Sequence, residues 1–195
     1  MLTPMPSVAL DHWFGRQAHE LDEIAAAHAS VGGTGPGRRH ATSQINAAYT
    51  TLLSSQFQAF CRDLHTEAAV ALAAGVPQAL QATIRLVMTT GRKLDSGNPN
   101  GGNIGADFGR LGVDFWPEVE SHGRFRAAQR AALERCMLWR NALAHQDFNK
   151  PELGGRRAVL LNEVRSWRAP LDQLALIFDE VIRAHLHAAL GSSPW

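Results

Sequence analysis

The stretch TSQINAAYTTLLSSQFQAFCRDLHTE, residues 42–67, decides the fold of this chain. Its apolar residues recur every three or four positions, which places them on one broad stripe of an α-helix. The stripe contains Ile45, Tyr49, Leu52, Leu53, Phe57, Phe60 and Leu64. The pattern runs on to Ala74, so it predicts a long central helix over 42–74 with its aromatic side chains in the core.

Upstream of this stretch, a second periodic segment predicts a helix over 8–29. Leu10, Phe14, Leu21 and Ile24 follow the same three-and-four spacing, and Ser7 is a suitable N-cap. The glycine-rich run 32–37 ends this helix because glycine and proline disfavour continued helix. It predicts a mobile connector rather than a phosphate-binding loop, since it follows a helix and not a strand.

Downstream, glycine and proline positions divide the chain into further helices. We expect a helix from Pro77 to about Leu94, a turn-rich loop over 96–103 and a short helix near 104–111. An irregular stretch then ends at Trp116-Pro117, and a helix follows over 123–145. After it we expect a brief extended segment over 158–161 and a last helix that begins at Pro170. The expected class is therefore all-α, with about five long helices and two short ones.

The composition agrees with one helical domain over 1–195, with flexible ends at 1–6 and 191–195. The chain has 195 residues, 45% of them hydrophobic and 19% charged, which is enough for a sizeable core. Cys61 and Cys136 fall within predicted helices and are expected in that core. No run of about 18 apolar residues and no leader pattern occurs, so we expect a cytoplasmic protein without membrane insertion.

The chemistry of the sequence is concentrated in RNALAH, residues 140–145. Arg140 presents a planar cationic fork that matches a phosphate, and His145 can take and give a proton near neutral pH. Residues five apart on a helix lie roughly 140° apart, whereas Asn141 and His145 share a face, so the amide could hold the imidazole. A phosphate would fit the wedge between them, and two such helices about a two-fold axis would line a groove. Taken alone, both residues are also ordinary cations of a last helical turn.

RNALAH, with the helix AALERCMLW before it, resembles the R-x4-6-H signature of the HEPN superfamily. The stretch 42–67 is similar to the long second helix of the branch labelled RiboL-PSP-HEPN, and Asn98-Pro99 with Ile104, Phe108, Leu111 and Gly112 is similar to the loop and short helix before its motif. Gln58 stands where that branch often has glutamate. The resemblance covers most of residues 40–190, although RNALAH is its only chemically specific part.

The resemblance implies a HEPN-like helical bundle that forms a homodimer and, in many members, a metal-independent endoribonuclease of toxin or phage-defence type. Arg140, Asn141 and His145 would be catalytic, acting on a ribose 2′-hydroxyl without a cofactor. Other members are non-catalytic interaction or nucleotide-binding modules, which remains the alternative. In HEPN toxins that a nucleotidyltransferase silences, a tyrosine stands where this chain has Asp147, so silencing by modification of that tyrosine is not expected here. The resemblance still implies an antitoxin or defence-system partner protein.

Residues around the motif supply further candidates. Arg38, Arg39 and Lys150 are expected to contact RNA phosphates, unless they are merely solvated. Asp147 and Asn149 follow the motif and would either orient the imidazole or start a turn. We expect no metal site, because His185 and His187 are two apart on a predicted helix and point to different sides.

Overall fold

The computed structural model describes residues 5–31 and 38–195, and in these ranges the chain is helical, with no strand. The predicted all-α class is confirmed. The helices are α1 Val8–His12, α2 Ala18–Val31, α3 Arg38–Ala74, α4 Gln78–Thr89, α5 Lys93–Ser96, α6 Gly101–Gly109, α7 Phe115–Ser121, α8 Ala127–His145 and α9 Leu161–Leu190, with a π-helical turn at Trp13–Gln17 and a 3-10 turn at Pro151–Leu153.

The central helix of the fold is α3, as its apolar stripe predicts. Tyr49, Leu53, Phe57, Phe60 and Leu64 are all buried. Helices α2, α4, α8 and α9 pack against α3, so this stripe forms the middle of the core. Burying such side chains typically contributes about 1.5–3 kcal/mol each, which explains why one helix can organise the rest.

The N-terminal segment is helical from Val8 and is capped as predicted, since Ser7 Oγ accepts a hydrogen bond from Leu10 N at 3.1 Å. Phe14, one of the residues that carry the three-and-four spacing, is 44% exposed, whereas its neighbour Trp13 is buried. The chain forms a π-helical turn at Trp13–Gln17. A π-turn inserts one residue into the helix and shifts the phase of every side chain that follows. The predicted connector at 32–37 lies outside the described residues.

Two prolines lie inside helices where the sequence predicted boundaries. Pro117 belongs to the first turn of α7, where a missing N–H removes no helical hydrogen bond. Pro170 lies well inside α9, which already begins at Leu161, so the predicted start of the last helix is wrong. The buried neighbours Trp167 and Leu171 hold both sides of this proline in the core, and their packing outweighs the lost hydrogen bond.

Other predicted boundaries also differ from the structure. The helix expected to reach Leu94 ends at Thr89, because Gly91 takes a positive φ of 69° before α5 begins. The extended segment predicted at 158–161 is not a strand, and Leu161 already belongs to α9. Cys61 and Cys136 are buried and free, as expected. Burial raises the pKa of the Cys136 thiol to about 12, so this thiol is an inert core group.

Helix α8, which carries RNALAH, lies antiparallel to α3. Ser54 Oγ of α3 donates to Met137 Sδ of α8 at 3.4 Å, while Ala47 of α3 lines the same groove as Ala144 of α8. The predicted packing residues Leu133, Cys136, Met137 and Trp139 are buried. This packing places the last turns of α8 beside the N-terminal half of α3.

Candidate active site

Arg140 is half-buried in the penultimate turn of α8, and it differs from the other arginines of this helix. Arg130 forms ion pairs with Glu120 and Glu134, and Arg135 pairs with Glu163. Within the described part of the chain, Arg140 forms no ion pair, and its Nη1 donates instead to Asn141 Oδ1 at 3.1 Å. A partly buried guanidinium with a neutral partner keeps its full positive charge available for an anion.

Asn141 is bound from two sides. Its Oδ1 accepts the hydrogen bond from Arg140 and a second one from Asn98 Nδ2, at 2.8 Å. Asn98 lies in the loop between α5 and α6. No hydrogen bond joins Asn141 to His145 among the described residues, so the predicted hold on the imidazole is replaced by a hold on the guanidinium.

His145 is the last residue of α8 and its side chain is exposed. Its imidazole has no hydrogen bond or ion pair with any residue that the structure describes. The Cα atom of His145 lies about 7.5 Å further along the helix axis than that of Arg140, given a rise of about 1.5 Å per residue. The structure therefore presents the two motif side chains to solvent without bonding them to one another, and both ring nitrogens of His145 are open to a ligand.

The chain turns away directly after His145. Gln146 adopts the left-handed conformation with φ of 52°, and the backbone N–H groups of Gln146 and Asp147 both donate to Ala142 O, the latter at 3.1 Å. Both bonds end on the carbonyl of Ala142, and Gln146 Nε2 satisfies a second carbonyl of the helix end by donating to Leu143 O at 2.8 Å. The helix thus ends at His145 for a local reason, which leaves the imidazole at its tip.

The two supporting candidates form this turn. Asp147 Oδ1 accepts from Asn149 N at 3.2 Å, the pattern of an Asx turn. Asp147 Oδ2 also lies 3.4 Å from Lys150 Nζ, so a carboxylate already neutralises the lysine that was predicted to contact RNA. No hydrogen bond connects Asp147 with His145 within the described ranges. The side chains of Arg38 and Arg39, the other predicted RNA contacts, lie outside the described part of the structure.

A groove of about 820 Å³ lies beside the motif, between α3 and the end of α8. None of the side chains that line it is acidic. They are Ser43, Gln44, Ala47, Ala48, Thr51, Leu52, Ser55, Leu143, Ala144, Gln146, Phe148, Arg157, Ala158 and Val159. Arg140 lies on the same helical face as Leu143 and Ala144, one turn earlier. Arg157 forms no ion pair with any described residue, and it was not predicted from the sequence because it stands in a loop without a motif.

Among residues 5–31 and 38–195, no three histidine, cysteine, aspartate or glutamate side chains lie together in a way that could hold a metal ion. His185, one of the two histidines considered for a metal, donates from Nε2 to Leu111 O at 3.0 Å.

Comparison with known proteins does not assign the chain to a family. No protein-family model, no curated protein and no solved structure matches it. Among the described residues, no helix is long and apolar enough to cross a membrane.

Proposed function

We propose that this chain is a HEPN-type endoribonuclease that works without a metal, of the toxin or phage-defence kind, and acts as a homodimer with its helical bundle of the HEPN type. The observation that carries the proposal is Arg140, a half-buried guanidinium that no carboxylate neutralises among the described residues, on the helix that ends in the exposed imidazole of His145. The first group suits a phosphate and the second suits proton transfer.

The proposed reaction is transesterification within RNA. His145 takes the proton of a ribose 2′-hydroxyl, the 2′-oxygen bonds to the adjacent phosphorus, and the bond from phosphorus to the 5′-oxygen breaks. The leaving 5′-oxygen receives a proton from a second imidazole, which the partner subunit's His145 supplies in a homodimer. Arg140 holds the phosphate and offsets the charge that builds on its oxygens. The products are a 2′,3′-cyclic phosphate and a 5′-hydroxyl, and DNA resists because it lacks the nucleophile.

A specific observation favours a second candidate, a non-catalytic HEPN module that binds a nucleotide or a partner protein. No described residue orients the His145 imidazole, whereas general bases are usually held by a neighbouring group. Arg140 would then bind a phosphate without cleavage. The two candidates agree on the anion and differ on whether a bond breaks.

The deciding experiment incubates wild type, Arg140→Ala and His145→Ala with single-stranded and structured RNA in EDTA and identifies the fragment ends. We expect cleavage by wild type with cyclic-phosphate ends and a loss of about 100-fold or more in each variant. The controls are His187→Ala, which removes an exposed imidazole on α9, and Arg85→Ala, which removes an exposed arginine on α4. Binding without cleavage by wild type would support the module, and equal cleavage by all variants would refute the proposed site.

The homodimer is tested separately by sedimentation equilibrium of the wild-type chain. A monomer at concentrations where the protein cleaves RNA would overturn the two-subunit mechanism. It would leave Arg140 and His145 as the residues of a single-chain site.

A further inference from the structure

We infer that Asn98 is a positioning residue of this site: it holds the Asn141 amide so that Arg140 and Asn141 together offer only hydrogen-bond donors to an incoming phosphate. The inference rests on the proposed function only in taking that phosphate to belong to RNA. In the sequence, Asn98 stands out only as part of a loop and carries no chemical role. Its role follows from four hydrogen bonds.

The side-chain amide of Asn98 is oriented by Asn100. Its Oδ1 accepts from the backbone N of Asn100 at 3.3 Å and from Asn100 Nδ2 at 2.7 Å. A backbone N–H can only donate, so the end of the Asn98 amide that faces it must be the oxygen. The other end, Nδ2, is thereby turned toward Asn141.

The loop around Asn98 is also fixed. Asn103 Nδ2 donates to Asn98 O at 2.8 Å, and Asn100 Oδ1 caps α6 by accepting from Asn103 N at 2.8 Å. Pro99, between them, is buried. Asn98 is therefore anchored before any ligand arrives, which is what a positioning residue requires.

The side-chain amide of Asn141 is oriented by Asn98 and Arg140. Asn98 Nδ2 donates to Asn141 Oδ1 at 2.8 Å, and Arg140 Nη1 donates to the same oxygen at 3.1 Å. An amide oxygen has two lone pairs, so both are in use. Asn141 Nδ2 is left with two N–H donors that have no hydrogen-bond partner among the described residues. The other N–H groups of Arg140, whose Nη1 binds this amide, also have no hydrogen-bond partner among the described residues.

The chemical consequence concerns which ligand fits. Phosphate oxygens only accept hydrogen bonds, and a surface made of guanidinium and amide N–H groups contains no acceptor that would repel them. If the Asn141 amide were turned by 180°, its oxygen would face the phosphate beside Arg140. Asn98 and Arg140 both oppose that rotation, because Asn141 would then direct a donor at Asn98 Nδ2 and at Arg140 Nη1, and of these two Asn98 is the one anchored in its own loop.

The test is Asn98→Asp, a nearly isosteric change that keeps the acceptor for Asn100 N but gives Asn141 a group that only accepts. The new carboxylate repels Asn141 Oδ1, so the amide loses one of the two donors that fix its oxygen, and its Nδ2 is drawn toward the carboxylate and away from the ligand. We expect binding of a 2′-O-methyl RNA, which cannot be cleaved, to weaken about tenfold or more. The control is Ser96→Asp, which adds the same charge two residues away, at the exposed end of α5, without touching Asn141 or the bonds that hold Asn98, and should stay within about twofold of wild type.

A double-mutant cycle separates positioning from a purely structural role. Asn141→Ala alone should weaken binding of the same RNA, and adding Asn98→Asp to it should cost little more, because Asn98 acts through Asn141. Additive effects would overturn the inference, since they would mean that Asn98 only supports the loop. The same cycle run with Asn98→Ser, which adds no charge, distinguishes the two roles where Asn98→Asp fails to fold.

The inference and the proposed function fail in different ways. Tight RNA binding by wild type with an unchanged Kd in Asn98→Asp would refute the positioning role and leave the ribonuclease intact. Where wild type binds no RNA, NMR of the Asn141 side-chain amide during titration with inorganic phosphate decides the inference alone. A shift in wild type that is absent in Asn98→Asp would support it, and no shift in wild type would refute it.

Discussion

Trp139 on α8 donates from its indole Nε1 to Glu163 Oε1 on α9 at 3.2 Å, although the indole ring itself is fully buried. The same carboxylate binds Arg156, with Nη1 to Oε2 at 2.8 Å, and Arg135, with Nε to Oε1 at 3.3 Å. The Arg156 guanidinium in turn lies 5.0 Å from the centre of the Trp139 ring. Glu163 thus ties the motif helix to α9 directly before RNALAH begins.

Glu163→Gln should lower the free energy of unfolding by about 1–2 kcal/mol, because the neutral amide loses its charged partners. Urea denaturation at neutral pH measures this change. The hydrogen bond from Arg156 is the main cause that lowers the pKa of Glu163 below 4.5, so its stabilisation is present above that pH and is lost as the pH falls below it. The difference between variant and wild type should therefore shrink in acid.

Glu23→Gln is the matched control for this change. Its described partner is His19, in a pair in which both side chains are mostly exposed. Exposed ion pairs contribute little to stability, so Glu23→Gln should change the free energy of unfolding by less than about 0.5 kcal/mol. An equal loss in both variants would show that Glu163 has no special role.

His65 should make the fold sensitive to acid. The ring is buried, its Nε2 donates to Asp107 O at 2.9 Å, and Arg92 Nη1 approaches its Nδ1 at 3.4 Å. Burial, with the Arg92 charge as the second cause, lowers the pKa of His65 from 6.5 to about 4. A lowered histidine pKa means that the stabilisation is complete above pH 6.5 and is lost as the pH falls toward 4.

The expected loss between about pH 7.5 and 4 is about 3 kcal/mol. Burial also raises the pKa of the Asp179 carboxyl above its ordinary value, so this group adds a pH dependence of its own. The measurement is therefore the free energy of unfolding of wild type minus that of His65→Gln at each pH. A difference that stays constant with pH would contradict the assignment to His65.

Arg140→Gln should weaken binding of single-stranded RNA and reduce its dependence on salt. One phosphate contact to single-stranded nucleic acid contributes about 0.7 to the slope of log K against log salt concentration. We expect the slope to become less steep by about that amount, measured by fluorescence anisotropy at several salt concentrations. Arg85→Gln is the control. Arg85 is on α4 and lines a different groove, together with Thr66 and Val70 from the C-terminal half of α3. An unchanged slope for Arg140→Gln would mean that Arg140 does not hold a phosphate.

Gln146→Gly should stabilise the protein. Gln146 has a φ of 52°, and glycine adopts this left-handed conformation without strain because it has no Cβ. We expect a gain of about 0.5–1 kcal/mol, reduced by the loss of the bond from Gln146 Nε2 to Leu143 O. Gln146→Val should act in the opposite direction, because β-branched residues tolerate this conformation least. Thermal unfolding of both variants checks the sign. A loss in both would show that the side-chain bond outweighs the backbone strain.

Local features of the fold were predictable because their causes lie within a few residues. The apolar stripe of α3, the cap at Ser7 and the end of α8 at His145 each depend on neighbours less than one or two turns away. The π-turn at Trp13–Gln17 and the helical course through Pro170 were not predicted, for the opposite reason. The π-turn changes the side-chain phase without a mark in the sequence, and the helix at Pro170 persists because distant residues bury both of its flanks.

The sequence by itself determined the all-helical class and the residue types of the candidate site, because periodicity and side-chain chemistry are properties of the chain alone. The tertiary structure decided which of those side chains are engaged. Asn98 and Asn141, 43 residues apart, meet only because the loop before α6 packs along α8, and Arg140 has no ion pair among the described residues because that packing brings an amide and no carboxylate to it. Such contacts depend on how helices pack, which short-range sequence patterns do not encode.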